Sequence, residues 1–271
     1  MSSTYDLSIL IPSIRTNRWE TLLASIESVC KRHTWQVVFI GPFAHQPSLD
    51  KYQNVKFIED FGSPSRAIQK GMLYIDSDLV FVTVDDCILY EDSLDLALDQ
   101  YHAECGRQDV LLMRYKEGGY VYTPGDYRAG HHQALRIPNV NPDWLVAPQF
   151  LMNQHYFKEL GGFDCRYEYN NEPVHDFMFR LQMLGNKIVP SNTHVTESTH
   201  YPGCTGDHRP IHESQLYHDY PIFVDIYTNG KVQMFIDYDN WKNTPEVWTR
   251  RFTNGIQTSY EDLVKAEGYQ V

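Results

Sequence analysis

The stretch DLVFVTVDD, residues 78–86, decides the reading of the fold. An apolar run from Leu79 to Val84, interrupted only by Thr83, stops abruptly on two carboxylates, Asp85 and Asp86. A short apolar run bounded in this way is the pattern of a strand buried on both faces, as in a parallel sheet. Ligands of open parallel sheets bind at the carboxyl ends of the strands. Two adjacent anions at such an end repel each other. Their common uses are to hold a divalent cation or to hydrogen-bond a ribose. Asp-Asp is also an ordinary solvated turn, and it is the position after a buried strand that favours binding.

The neighbouring segments extend the same pattern. LSILIPSI, residues 7–14, reads as another buried strand running into a loop, and residues 18–32 place Leu22, Leu23, Ile26 and Val29 on one helical face. QVVFI, residues 36–40, is a strand stopped by Gly41-Pro42, and NVKFI, residues 54–58, is a further short one. Ser63 or Ser65 can cap a helix through about Ile75, with Pro64 in its first turn. Residues 91–104 read as an acidic amphipathic helix. This strand–helix alternation predicts an α/β fold with a mostly parallel, Rossmann-like sheet flanked by helices. Three polar groups fall at strand ends: Ser13 with Arg15, Asp60, and Asp85-Asp86, while Arg66 lies in the first turn of the helix after Asp60.

Beyond residue 110 the pattern changes. VLLMR, residues 110–114, is a strand; residues 115–143 lack clear periodicity; residues 150–160 suggest a strand or a short helix before Gly161-Gly162-Phe163-Asp164. Residues 174–184 form a strong helix stopped by Gly185, and a strand begins at 187. Residues 191–220 read as a His-rich loop, and Asn229-Gly230 is a hairpin signal. The expected organisation is one domain over residues 1–220, with a nucleotide half at 1–110 and an acceptor and catalytic half at 111–220, followed by a small irregular extension at 221–271.

Composition narrows the class. With 23 basic against 35 acidic residues the net charge is −12, and the one basic cluster is Arg250-Arg251, so a protein tracking duplex nucleic acid is disfavoured. A local basic pocket for one diphosphate remains compatible with this balance. Five cysteines (Cys30, Cys87, Cys105, Cys165, Cys204) at irregular spacing, with no CxxC, argue against a disulfide framework or a structural zinc site. Residues 1–6 carry no basic n-region, and no segment approaches the ~18 apolar residues of a membrane span. A soluble protein of the reducing cytoplasm is the expectation.

LSILIPSIR, SPSRAIQKGM, FVTVDD, GGFD and the HDFMFRLQMLG helix, in this order and spacing across about residues 7–190, resemble the family 2 glycosyltransferases of the GT-A fold. The resemblance implies an inverting transfer from a nucleotide-sugar, UDP-linked by default, to a hydroxyl acceptor, most simply a glycan, assisted by Mn²⁺ or Mg²⁺. It implies that the loop Pro12 to Arg15 touches the base and that Arg66 approaches the nucleotide; Asp60, by its place at a strand end, is a further nucleotide-binding candidate. Asp85-Asp86 match the DXD region, where the first carboxylate meets the ribose and a later one binds the metal. Two departures stand out. The second strand of the family commonly ends in Asp, here replaced by Ile40-Gly41-Pro42, and the third DXD position is Cys87, a poor ligand for a hard cation. The metal therefore falls to Asp86, or Asp85 serves both needs.

Inversion requires a carboxylate to take the proton of the attacking hydroxyl. In the family this base opens the helix after GGFD. The match is Asp176, with Glu172 as the alternative, although an acidic residue there is also an ordinary first-turn residue. Arg180 stands one turn beyond Asp176, within pairing distance. Many GT-A enzymes bring a C-terminal His to the metal. Among His194, His200, His208 and His212, with Asp207 and Glu213 beside them, the resemblance singles out His200 first and His208 second; solvent-exposed histidines are the plain alternative. Trp144 with Tyr115, Tyr120, Tyr122 and Tyr127 offers either a wall for acceptor sugars or ordinary core packing. Two other functions share parts of this pattern: a degenerate nucleotide-binding module without turnover, and a sugar nucleotidyltransferase, whose Gly-rich phosphate loop does not occur near Pro12–Arg15.

Overall fold

A computed structural model of the chain describes residues 3–43, 46–117, 120–121, 139–168, 171–198 and 215–242. The apolar runs form strands β1 (Leu7–Pro12), β2 (Trp35–Gly41), β3 (Val55–Glu59) and β4 (Leu79–Val82). All four are mutually parallel, in the order β3-β2-β1-β4. The sheet continues through β8 (Phe150–Asn153), β6 (Val110–Glu117), β9 (Ile188–Ser198) and β5 (Cys87–Leu89), with β7 (Tyr120–Val121) paired to β6. β8 is antiparallel to both β4 and β6. β6 and β9 are parallel to each other, and β5 closes the edge antiparallel to β9. The sheet is thus mostly parallel, as expected, with one reversed strand at its centre.

Alternation along the strands divides the core in two. Leu7, Ile9 and Ile11 of β1 and Leu79 and Phe81 of β4 enter one cluster; Leu10, Val80 and Val82 enter the other. The first cluster is covered by α1 (Trp19–Val29) and α3 (Ser93–Glu104). Trp19, Leu22, Leu23, Ile26 and Val29 supply the buried face of α1, the predicted stripe with Trp19 added. Trp19 stacks on Phe39 with ring centroids 4.7 Å apart. The second cluster is covered by α2 (Pro64–Gly71), α4 (Gln154–Glu159), α5 (Asn171–Met183) and α6 (Tyr220–Thr228), around Phe150, Phe157, Phe163 and Phe177. Complete burial of each such ring contributes about 1.5–3 kcal/mol relative to exposure.

Local signals account for the boundaries. Ser63, and not Ser65, is the α2 cap: its side chain accepts from Arg66 N, with Pro64 at the first helical position. The helix ends at Gly71, short of Ile75. Residues 150–160 hold both alternatives in succession, a strand and then a helix capped by Asn153, whose Oδ1 accepts from His155 N and Tyr156 N.

Two expectations are corrected. Residues 191–198, read as loop, extend β9 along β6 and β5. Asn229-Gly230 turns no hairpin; it ends α6. Lys231 N donates to Ile226 O at 2.8 Å, and Gly230 has φ +64°, the left-handed residue that closes a helix. Asn-Gly supplies positive φ to a hairpin and to a helix end alike, and the apolar face of Phe223, Ile226 and Tyr227 decides for the helix. That face lies in the main core, so the boundary placed at residue 220 coincides with the first residue of a helix that packs with the domain.

Candidate functional site

Parallel neighbours β1 and β4 bring the loop Ser13–Arg15 against Asp85. Asp85 Oδ2 accepts from Ser13 Oγ (2.9 Å), Ile14 N (2.8 Å) and Arg15 N (2.7 Å), while Oδ1 accepts from Arg15 Nη1 (2.5 Å). Trp19 Nε1 donates in turn to Ser13 Oγ. Asp85 is 2 % exposed, so these charge-assisted bonds form away from water and fix the loop to the strand end. Arg15 Nη1 also stands 3.8 Å from Asp86 Oδ2. The two groups that sequence reading assigned separately to a nucleotide are therefore clasped to each other.

A second cluster forms at the end of β3. Asp60 Oδ1 lies 3.0 Å from both Arg66 Nε and Lys70 Nζ, and Oδ2 accepts from Gly62 N at 3.0 Å. Arg66 and Lys70 are one turn apart on α2, so one helical face delivers two cations to one carboxylate. The cluster carries a net positive charge in a chain whose total is −12. It is a local excess of positive charge of the kind that the overall balance left room for.

At the end of β2, Gly41 has no room for any side chain. A Cβ at this position would lie 1.9 Å from the carbonyl oxygen of Ser13. Gly41 O also accepts from Asp60 N at 2.8 Å, and Ile40 O accepts from Ser13 N at 2.8 Å. The bare backbone of Gly41 thus sits between the two clusters and touches both.

The fit of a metal can be tested on the same residues. Among the described residues, no group of three His, Cys, Asp or Glu side chains could hold an ion. Both oxygens of Asp85 are engaged by the β1 loop. Cys87 opens β5 and faces the core, its thiol pushed up to about 12 by burial and donating to Val84 O, so it is no ligand. Asp86 is 7 % exposed. His200 and His208 lie outside the described residues, as do Tyr122 and Tyr127 of the suggested acceptor wall. The described residues alone do not complete a metal site.

Asp176 and Glu172 both fall on α5, as the resemblance implies, but in different surroundings. Asp176 Oδ2 accepts from Arg180 Nε at 2.8 Å and Oδ1 from the Tyr227 hydroxyl at 3.0 Å. Arg180, 1 % exposed, also donates to Leu160 O (2.9 Å) and Gly162 O (2.6 Å). The unit ties α5 to α6 and to the Gly161-Gly162 turn. Burial raises the Asp176 carboxyl above its ordinary range, with Arg180 opposing. Glu172 occupies the first turn of α5 and is 2 % exposed. Trp144 packs on Phe179 with centroids 5.5 Å apart, and Tyr115 borders the same cluster, so these two take the packing alternative. His194, the one of the four named histidines that lies among the described residues, sits in β9.

The order and directions of the strands resemble those of solved structures at low sequence identity. S. aureus TarS superposes with a TM-score of 0.52 at 15 % identity, covering 83 % of this chain and 43 % of that one. TarS 1–349 in complex with UDP-GlcNAc gives 0.52 at 14 % identity, covering 83 % and 72 %. The catalytic domain of Drosophila β1,4-galactosyltransferase 7, in complex with xylobiose, gives 0.50 at 11 % identity, covering 88 % and 84 %. The fold is GT-A. No protein-family model matches the sequence, and no curated protein matches it. The chain spans less than half the length of the first of these structures.

Within the GT-A frame, sequence reasoning passed over several residues. Lys70 was legible, since it follows Arg66 at helical spacing. Trp19 was assigned to no role, yet it orients Ser13. Tyr227, which closes over Asp176, lies fifty-one positions away and carries no local signal. Among the described residues, no helix is long and apolar enough to cross a membrane.

Proposed function

We propose that the chain is a glycosyltransferase that moves a sugar from a nucleoside diphosphate sugar, UDP-linked by first choice, to a hydroxyl acceptor with inversion. The observation that carries this reading is the pair of clusters at the carboxyl ends of β1, β3 and β4, Arg15–Asp85–Asp86 and Asp60–Arg66–Lys70. Open parallel sheets bind nucleotides at that edge. The loop Pro12–Arg15, held by Asp85, would receive the nucleoside. Arg66 and Lys70 would receive the diphosphate and offset the charge that grows on it as it leaves. A divalent cation, Mn²⁺ or Mg²⁺, would add Lewis-acid neutralisation of that charge. Asp86 with Asp85, together with His200 or His208, would hold it. Arg66 and Lys70 are the cationic side chains that would meet the departing diphosphate.

For the base we assign Glu172 ahead of Asp176. Both oxygens of Asp176 are engaged by Arg180 and Tyr227, and a proton taken there would weaken a buried ion pair. Glu172 would take the acceptor O–H proton as that oxygen attacks the anomeric carbon; the bond from that carbon to the diphosphate breaks, and the nucleoside diphosphate departs with the electron pair. We place its action in the cytoplasm, where cysteines such as Cys30, Cys87, Cys105 and Cys165, which form no disulfide among the described residues, stay reduced. The engagement of Asp85 favours one rival, a GT-A module that binds without turnover. Release of nucleoside diphosphate from a panel of UDP-sugars, with Mn²⁺ or EDTA, decides between them. Glu172→Gln should lower the wild-type rate about 10²–10⁴-fold and leave nucleotide binding intact. Tight binding with no release by the wild type would establish the module instead.

A further inference from the structure

The C-terminal extension enters the site described above through Tyr227, and a turn further along it reaches the nucleotide half. Residues Tyr238–Lys242 form a 3₁₀ turn. The turn is fastened at both ends of a bridge. Gln69 of α2, fully buried, donates through Nε2 to Tyr238 O and to Gly161 O, both at 2.9 Å, and accepts at Oε1 from Phe163 N at 3.0 Å. The Tyr238 hydroxyl donates back to Gln69 O. Asn240 Nδ2 donates to Phe163 O at 3.1 Å, and its Oδ1 accepts from Cys165 N at 2.8 Å. Upstream, the chain is pressed against the glycine turn so closely that a Cβ on Gly161 would lie 1.9 Å from Ile236 O.

This fastening delivers Trp241 to Arg66. The Arg66 guanidinium lies 5.6 Å from the Trp241 ring centroid, and Lys242 Nζ lies 5.4 Å from the same ring. The Nε edge of Arg66 is committed to Asp60. A guanidinium held along one edge by a carboxylate and set over an indole ring has few orientations left, and contact with an aromatic face is a preferred use of arginine. We propose that Trp241 is a positioning residue of the donor site: it holds Arg66 in the attitude that meets the donor diphosphate, so the C-terminal turn is part of the nucleotide-binding apparatus. This rests on the glycosyltransferase reading above and extends it to residues of the extension.

The test is calorimetric titration of the full chain with the nucleoside diphosphate that binds best among UDP, GDP, CDP, ADP and dTDP, and with the matching nucleoside. Trp241→Ala should weaken the diphosphate about tenfold and leave the nucleoside unchanged, whereas Trp241→Phe should retain most of the affinity. In an Arg66→Ala background, Trp241→Ala should have no further effect. Equal weakening of diphosphate and nucleoside would mean general disruption of the fold and overturn the proposal, as would unchanged diphosphate affinity in Trp241→Ala. A wild type that binds none of the five overturns the donor-site reading itself, and this proposal with it.

Discussion

Two regions of the molecule pair buried carboxylates with arginine, and they do so differently. At the sheet edge, Asp85 meets Arg15 from a loop and Asp60 meets Arg66 and Lys70 from one face of α2. Within α5, Asp176 meets Arg180 four residues on, along one rigid helix, with Tyr227 closing the second oxygen. A pair formed between a strand end and a loop can exchange partners when an anion or a ribose arrives. A pair inside a helix, with its arginine also bonded to Leu160 O and Gly162 O, has no such freedom and serves to lock the packing. Under the proposed function the same chemistry is a receptor in one place and a rivet in the other.

The largest effect should come from breaking the rivet. Arg180→Ala strands the Asp176 carboxylate in the core, and a loss of about 3–5 kcal/mol is expected from urea unfolding. The protein that remains folded should bind nucleotide as before. A loss below about 1 kcal/mol, the size typical of a surface pair, would place Asp176 and Arg180 with the exchangeable pairs.

A smaller effect tests the receptor. Gly41→Ala drives a methyl group into Ser13 O, and overpacking of this kind costs about 1–3 kcal/mol. Because Ser13 and its neighbours hold Asp85, nucleotide affinity should fall as well. Stability lost with affinity intact would show that the loop Ser13–Arg15 does not serve the nucleotide.

The smallest effect sets a bound on both. His194, on β9, has its pKa lowered below the usual 6.5, first by burial and then by Arg114 and Lys116. The unfolded chain therefore takes the proton first as pH falls. Stability from this group is present above pH 6.5 and is lost as pH drops from there through the lower folded value. Melting temperatures of wild type and His194→Gln between neutral and mildly acidic pH should converge as the wild type loses this contribution. Parallel curves would remove His194 from the account.

Much of this comparison was legible in the sequence, unevenly. The apolar runs at Leu7–Pro12, Trp35–Gly41 and Leu79–Val82 fixed the parallel half, because strands buried on both faces cannot hide their composition. The face of α1, the Ser63 cap and the carboxylates at the end of β4 followed from local rules. Insertion of β8 between β4 and β6 did not, since its pairing joins residues about seventy apart and leaves no periodic trace. Asn229-Gly230 misled because one dipeptide suits two turns. Residue types at strand ends were readable, but their partners were not. Ser13, Ile14 and Arg15 converge on Asp85 from about seventy positions away, and Trp241 is brought to Arg66 by the Gln69 bridge and the Asn240 bonds to Phe163 and Cys165.

The central claim, that the edge of the sheet receives a nucleoside diphosphate, is tested most directly by titrating the wild type and Arg66→Ala with UDP, GDP, CDP, ADP and dTDP, each with Mn²⁺, Mg²⁺ or EDTA. The account predicts saturable binding of one nucleotide by the wild type and about tenfold weaker binding by Arg66→Ala, the cost of one charge-assisted contact. Binding of none, or equal binding by both proteins, would contradict it.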